Sequence, residues 1–237
     1  MDNKKVAYIT GGTKGIGLGI AEKMLEKGIR VAISGRNLGQ AQKVAETLNA
    51  KFSADVLAVG SDVSKHEDEK KAISQVLEKW GHIDYVIANA GVGHFHTIEE
   101  MTDEHWHKTI DTNLTGVFHT TKASLDALIK SKGYLITIAS LAGANFFAGG
   151  AAYNASKFGL VGFTQAVMLD VRDKGVKVTT IMPGSVATNF NGNIVDEKDN
   201  WKIQPEDIGQ IVVDLIQMEA RVLPSKVEVR PSVSRKK

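Results

Sequence analysis

A chain of 237 residues with 43% hydrophobic and 24% charged content is long enough for one sizeable α/β domain and short for two. A net charge of only +2 gives neither nucleic acid nor a membrane surface an electrostatic hold, and no apolar run approaches the ~20 residues that span a bilayer. The absence of cysteine excludes disulfides, thiol catalysis and cysteine-held metals; Met1 to Lys5 run straight into a strand, leaving no room for a signal peptide, so a cytoplasmic location is expected.

Lys5 to Thr10 predict a buried strand, followed by the glycine-rich turn Gly11-Gly12-Thr13-Lys14-Gly15-Ile16-Gly17 and an amphipathic helix from Leu18 to Leu25. Glycine permits positive φ and close backbone approach, and the first turn of the helix offers free N–H groups at the positive end of its dipole. That combination suits a pyrophosphate. The spacing departs from G-x-G-x-x-G, and a purely structural turn is the alternative; its position between a first strand and a first helix favours the binding role.

The next strand, Arg30 to Ser34, ends in Gly35-Arg36-Asn37. Folds that prefer NAD place a carboxylate there to grip the adenosine ribose diol. None is present, whereas Arg36 and the loop residue Lys14 are cations that match a 2′-phosphate, so NADP(H) is the expected cofactor. The competing reading is that both are solvated surface cations.

Asp55 to Gly60 and Ile83 to Ala88 predict short buried strands. Lys65 to Trp80, between them, is a charged helix with Ala72, Ile73, Val76 and Leu77 on one side; His66-Glu67-Asp68-Glu69-Lys70 reads as its solvated, acidic first turn. Glu104 to Ile129 is helical, Gly133 to Ala139 a strand, Ala151 to Asp173 a helix and Val176 to Met182 a strand. A last helix begins after Pro205, and Lys226 to Arg230 form a final strand before a basic, solubilising tail from Pro231 to Lys237. Such alternation predicts an α/β fold: a doubly wound parallel sheet with helices on both faces.

Tyr153 and Lys157 stand four apart on one helical face, and Ser140 lies upstream. A fixed ammonium beside a phenol favours the phenolate and draws its pKa toward neutrality, so Tyr153 can exchange a proton with a carbonyl or alcohol oxygen. Ser140 can donate a hydrogen bond to the same oxygen. An ordinary amphipathic helix also contains such pairs. Five histidines fall between His94 and His119, but His105 and His107 point to different sides of a helix and no zincin spacing occurs, so no metal site is expected. His94 and Phe95 follow Asn89-Ala90-Gly91 at the carboxyl edge of a strand, where α/β sheets bind ligands. These two, with Phe146 and Phe147, are candidates for the substrate wall or for simple packing.

Taken together, Thr10 to Gly17, Asp62-Val63, Asn89-Ala90-Gly91, Asn113, Ser140, the Tyr153/Lys157 pair, and Pro183-Gly184 with Thr188 resemble the short-chain dehydrogenase/reductase family. The likeness runs from Lys5 to about Arg230. It implies a single Rossmann-type NAD(P)-binding catalytic domain over residues 1–237, acting on a small carbonyl or alcohol substrate. By the same resemblance Asp62, with Val63, would meet the adenine, and Asn89, Ala90 and Gly91 would pass beside the adenosine ribose and back the nicotinamide. Lys157 would also hold the nicotinamide ribose, Pro183, Gly184 and Thr188 would frame the carboxamide with Val186 on that wall, and Asn113 would hold a water linking Lys157 to solvent. A homodimer or homotetramer is implied as well.

Within the family the chain is similar to bacterial 3-oxoacyl-(acyl-carrier-protein) reductases, and to sepiapterin-reductase-like carbonyl reductases in Gly91-Val92-Gly93 followed by Phe95. It departs in the short, polar stretch from Val186 to Gln204, where the family places its substrate lid, and in lacking Asp-Gly-Gly near the end. The leading expectation is an NADPH-dependent carbonyl reductase. The alternatives are an NAD-dependent alcohol or sugar dehydrogenase, and a non-catalytic nucleotide sensor or scaffold that kept the fold.

Overall fold

The computed structural model describes residues 4–233. Seven parallel strands lie in the order β3-β2-β1-β4-β5-β6-β7. They are β1 (Val6–Ile9), β2 (Arg30–Gly35), β3 (Leu57–Gly60), β4 (Tyr85–Ala88), β5 (Tyr134–Ile138), β6 (Lys177–Pro183) and β7 (Lys226–Val229). The order reverses between β1 and β4, so the loops after these two strands diverge and open a crevice at the carboxyl edge of the sheet.

Successive side chains of a strand face opposite ways, and β1 shows what that does here. Ala7 and Ile9 enter a core with α1 (Gly15–Glu26), α2 (Leu38–Phe52) and α7 (Pro205–Gln217), while Val6 and Tyr8 enter a core with α3 (His66–Trp80), α5 (Gly116–Ser131) and α6 (Ala151–Val171). Helices therefore cover both faces of one sheet, in a single-domain Rossmann-type fold. Among the described residues no helix is long and apolar enough to cross a membrane.

Three features depart from the sequence expectations. The reading above leaves residues 38–54 without an element, yet α2 fills the crossover from β2 to β3. Its buried stripe is only Ala41, Ala45 and Leu48, too thin to stand out in sequence; Asn37 caps it, Oδ1 accepting from the Gln40 N–H at 2.9 Å. The expected helix from Glu104 to Ile129 is α4 (Asp103–Ile110) and α5 joined by a π-helical turn at Asp111–Thr115. Finally, the first turn of α3 is not a wholly solvated acidic face. Glu69 is completely buried and accepts from the Tyr8 hydroxyl at 2.9 Å, the Ser61 hydroxyl at 2.6 Å and the Thr120 hydroxyl at 2.7 Å. Donors from β1, the end of β3 and α5 converge on one carboxylate, which no local pattern reveals. The basic tail from residue 234 onward lies outside the described residues.

Helices α1 and α7 cross at two glycines. A Cβ on Gly19 would lie 2.5 Å from the Pro205 carbonyl carbon, and one on Gly209 would lie 2.5 Å from the Gly19 carbonyl oxygen. Gly209→Ala should therefore overpack the crossing and cost about 1–3 kcal/mol. Urea denaturation reads this as a lower midpoint at unchanged slope; an unshifted midpoint would show that the helices separate freely.

Candidate active site

The ends of β1 and β4 are tied together before any ligand is considered. The Thr10 hydroxyl accepts from the Asn89 and Ala90 N–H groups, both at 3.0 Å, and the Asn89 amide donates to the carbonyls of Thr10 at 2.9 Å and Gly11 at 3.2 Å. The glycine loop packs onto this tie. Gly11 has φ +64°, and a Cβ there would meet the Ala90 Cα at 2.9 Å; a Cβ on Gly17 would press to within 2.4 Å of the Gly11 carbonyl. Gly11, Thr13, Lys14, Gly15 and Ile16 line the crevice, whereas Gly17 is buried beneath the loop and serves its packing. Helix α1 starts at Gly15, and its first turn carries neither a side-chain cap nor an acidic residue, leaving its N–H groups for an anion.

The crevice is about 1290 Å³. Arg36 stands on its wall with Asn37 and Gln40, two residues the sequence reading did not single out. Asp62 and Val63 line it too; Asp62 Oδ1 accepts from the Ser64 hydroxyl at 2.8 Å, and Val63 packs where a Gly116 side chain would stand. Asn89, Ala90 and Gly91 form the floor, and Pro183, Gly184, Val186 and Thr188 the opposite wall. A long cleft with a glycine cradle, cations at one end and a polar floor fits a dinucleotide.

Ser140, Tyr153 and Lys157 meet in the same crevice. Ser140 follows β5 and its hydroxyl accepts from the Ala142 N–H at 3.1 Å, opening a 3₁₀ turn. Lys157 is buried, donates to the Ile138 carbonyl at 3.0 Å, and its Nζ lies 5.7 Å from the centre of the Tyr153 ring. The expected lowering of the tyrosine is not found. Burial pushes the Tyr153 phenol above its usual value, with the Ser140 hydrogen bond opposing, and burial lowers Lys157 to about 8. Loss of water from around the pair outweighs their mutual influence.

Asn113 sits in the π-turn, completely buried. Its side chain clasps the backbone of Val92, accepting from its N–H and donating to its carbonyl, both at 2.8 Å, and also donates to the Ser156 hydroxyl at 3.1 Å. Asn113 thus braces the loop after β4 against α6, and both donors of its amide are committed to protein groups. Asn154 does similar work, donating to the carbonyls of Ala142 at 2.8 Å and Asn145 at 2.7 Å and so setting the loop that carries Phe146 and Phe147.

Phe95 and Phe147 line the crevice, but His94 does not. His94 turns back onto α4 and stacks on His105 with ring centres 5.3 Å apart; His96 stacks on the same ring at 4.2 Å. Alternation along the loop sends Phe95 one way and both histidines the other. The segment from Val186 to Gln204 is less polar in effect than its sequence suggests. Phe190 and Trp201 face the crevice, and the Ala187 N–H donates to the Ile203 carbonyl at 2.9 Å, closing the base of the loop. Phe190 and Trp201 were the residues missed there; each is a lone aromatic in a polar stretch, its only sequence signal.

Burial and the neighbouring His105, Lys108 and His96 lower the pKa of His94, against the opposing pull of Glu104. The unfolded chain then binds more protons at His94 just below its usual value of 6.5, so stability falls as pH drops through that value and levels off below the folded one. Thermal melts between pH 7.5 and 5.5 should show His94→Phe losing less Tm than the parent. Equal losses would place the acid sensitivity elsewhere.

Residues 5–199 match the family model described as short chain dehydrogenase. An uncharacterized oxidoreductase of Staphylococcus saprophyticus is 32% identical over 228 residues, covering 96% of this chain and 97% of the relative. A 3-oxoacyl-[acyl-carrier-protein] reductase of Chlamydia muridarum is 32% identical over 208 residues, 87% of this chain and 84% of the relative. Among solved structures, an alcohol dehydrogenase from the archaeon Thermococcus sibiricus, complexed with 5-hydroxy-NADP, superposes with a TM-score of 0.92 at 30% identity, covering 99% of this chain and 100% of that one. With glycine cradle, tyrosine, lysine and serine gathered on one crevice of a doubly wound sheet, this chain belongs to the short-chain dehydrogenase family of oxidoreductases.

Proposed function

We propose that the protein is an NADPH-dependent reductase of ketones or aldehydes, with Tyr153 as the acid. The observation that carries this reading is the convergence of Ser140, Tyr153 and Lys157 on the crevice that also holds the glycine cradle. A reduced nicotinamide, when bound, supplies the hydride; the chain supplies position and proton. The phenol of Tyr153, held above its usual value, keeps its proton at neutral pH and is suited to give it to a carbonyl oxygen. Ser140 shares that oxygen as a hydrogen-bond donor and offsets the charge that develops there. Lys157, buried and fixed on the Ile138 carbonyl, is charged below about 8 and stabilises the phenolate left behind. Asn113 braces Val92 beside these groups and so acts by positioning the loop that borders Lys157.

Lys14 and Arg36 support NADP over NAD, since both stand on the cofactor end of the crevice and two cations suit a 2′-phosphate. The solved relative from Thermococcus sibiricus carries an NADP derivative, in keeping with that preference. Asp62 takes the adenine, and Pro183, Gly184, Val186 and Thr188 enclose the nicotinamide end. Exposed Phe118, Phe158 and Leu169 on α5 and α6 support a homodimer or homotetramer built on those helices.

Two outcomes test this. Tyr153→Phe should lower kcat by at least about a hundredfold while NADPH still binds, measured by absorbance loss and by cofactor fluorescence; normal turnover would end the proposal. The same assay on the parent protein should show kcat for reduction falling as pH rises through about 8, where Lys157 loses its charge. Separately, Arg36→Ala should raise KM for NADPH about tenfold or more and leave that for NADH near its starting value, as removal of one charged hydrogen bond predicts. A parallel change for both cofactors would remove Arg36 from 2′-phosphate recognition.

A further inference from the structure

Four aromatic rings from three separate loops and a helix gather where a substrate carbonyl must meet Tyr153. Phe95 lies edge-on to Tyr153, centres 5.4 Å apart at 79°, and edge-on to Phe147 at 5.6 Å and 69°. Phe190 completes the group, 5.9 Å from Tyr153 and 6.5 Å from Phe95. Phe95 is 39% exposed and Phe147 46%, so their rings present faces to the crevice and are not buried in the core.

The arrangement is built by two glycines. A Cβ on Gly93 would lie 2.5 Å from Cε1 of Phe190, and one on Gly150 would lie 2.7 Å from Cε2 of Phe147. Each ring is seated in the space a missing side chain leaves. Phe190 is held there by its own loop, whose base closes through the Val186 and Ile203 pairing.

Charge narrows the choice further. The cations on the neighbouring wall are already paired, Lys202 with Asp199 at 2.7 Å and Arg230 with Glu228 at 3.3 Å. A wall of this kind offers ring faces and edges, with its cations engaged by neighbouring carboxylates and not held out toward an anionic carrier arm.

We infer that the substrate is a neutral carbonyl compound bearing an aromatic or similarly flat conjugated group next to the C=O, and that Phe95 and Phe190 set this preference. The inference rests on the carbonyl-reduction reading and narrows its substrate. Edge-to-face and offset contacts favour a flat ring over a puckered one of equal size, and two such contacts together amount to about tenfold.

The test compares kcat/KM with NADPH for 1-phenyl-1,2-propanedione, its cyclohexyl counterpart and a straight-chain 3-oxoacyl thioester, in the parent protein and in Phe190→Ala and Phe95→Leu. The expected result is a preference of about tenfold or more for the phenyl compound in the parent, falling to within about twofold in both variants. The cyclohexyl counterpart separates flatness from mere apolar bulk. Equal use of phenyl and cyclohexyl compounds, preference for the thioester, or a phenyl preference that survives both replacements overturns the inference and leaves carbonyl reduction standing. If none of the three is reduced, and neither are simple aldehydes and ketones, the reductase reading falls and takes the inference with it.

Discussion

The site depends on keeping one ammonium group out of water. Lys157 is buried on α6, where its ammonium donates to the Ile138 carbonyl at the end of β5. Depression of its pKa from 10.5 to about 8 corresponds to about 3 kcal/mol of folding free energy withheld at neutral pH. The sign is clear: the unfolded lysine holds its proton more tightly, so the cost is full below about 8 and fades as pH climbs toward 10.5. A protein that carries such a penalty must recover it elsewhere, and the two apolar cores on either face of the sheet are where it does so.

Around that group the crevice is assembled by side chains that grip backbone. Asn89 and Thr10 tie β4 to β1, Asn113 ties the next loop to α6, and Asn154 ties α6 to the loop after β5. Each amide satisfies loop groups that would otherwise lie buried without partners. The π-turn that holds Asn113 belongs to the same construction, as a local widening of a helix at a functional position. Glu69 gathers three hydroxyl donors from β1, the end of β3 and α5, joining these elements through one buried carboxylate.

The two ends of the crevice are lined by different material. One end is lined by glycines, short polar residues and two cations, whereas the end at Tyr153 is walled by phenylalanines on loops. Ser140, Tyr153 and Lys157 thus stand on the end of a strand and on α6, whereas the phenylalanines stand on loops and settle into glycine-sized spaces.

Much of this was legible in the chain itself. Strand and helix alternation shows in apolar periodicity, and the glycine loop, Ser140 and the Tyr153/Lys157 pair announce themselves because their meaning lies in short spacings along one turn or one helical face. What the sequence determined by itself was the alternation of strands and helices, the doubly wound class, and that Ser140, Tyr153 and Lys157 belong to one crevice. Only the tertiary structure decided that Glu69 is buried, that α2 exists behind a stripe of two alanines and a leucine, that His94 turns away from the crevice, and that Phe190 turns into it. The phenol of Tyr153 belongs with these, for its direction is set by how much water the packed helices and loops exclude. Helix α2 hides behind a thin local stripe, and the other four depend on groups brought together from distant parts of the chain, about whose meeting neither periodicity nor motif spacing carries information.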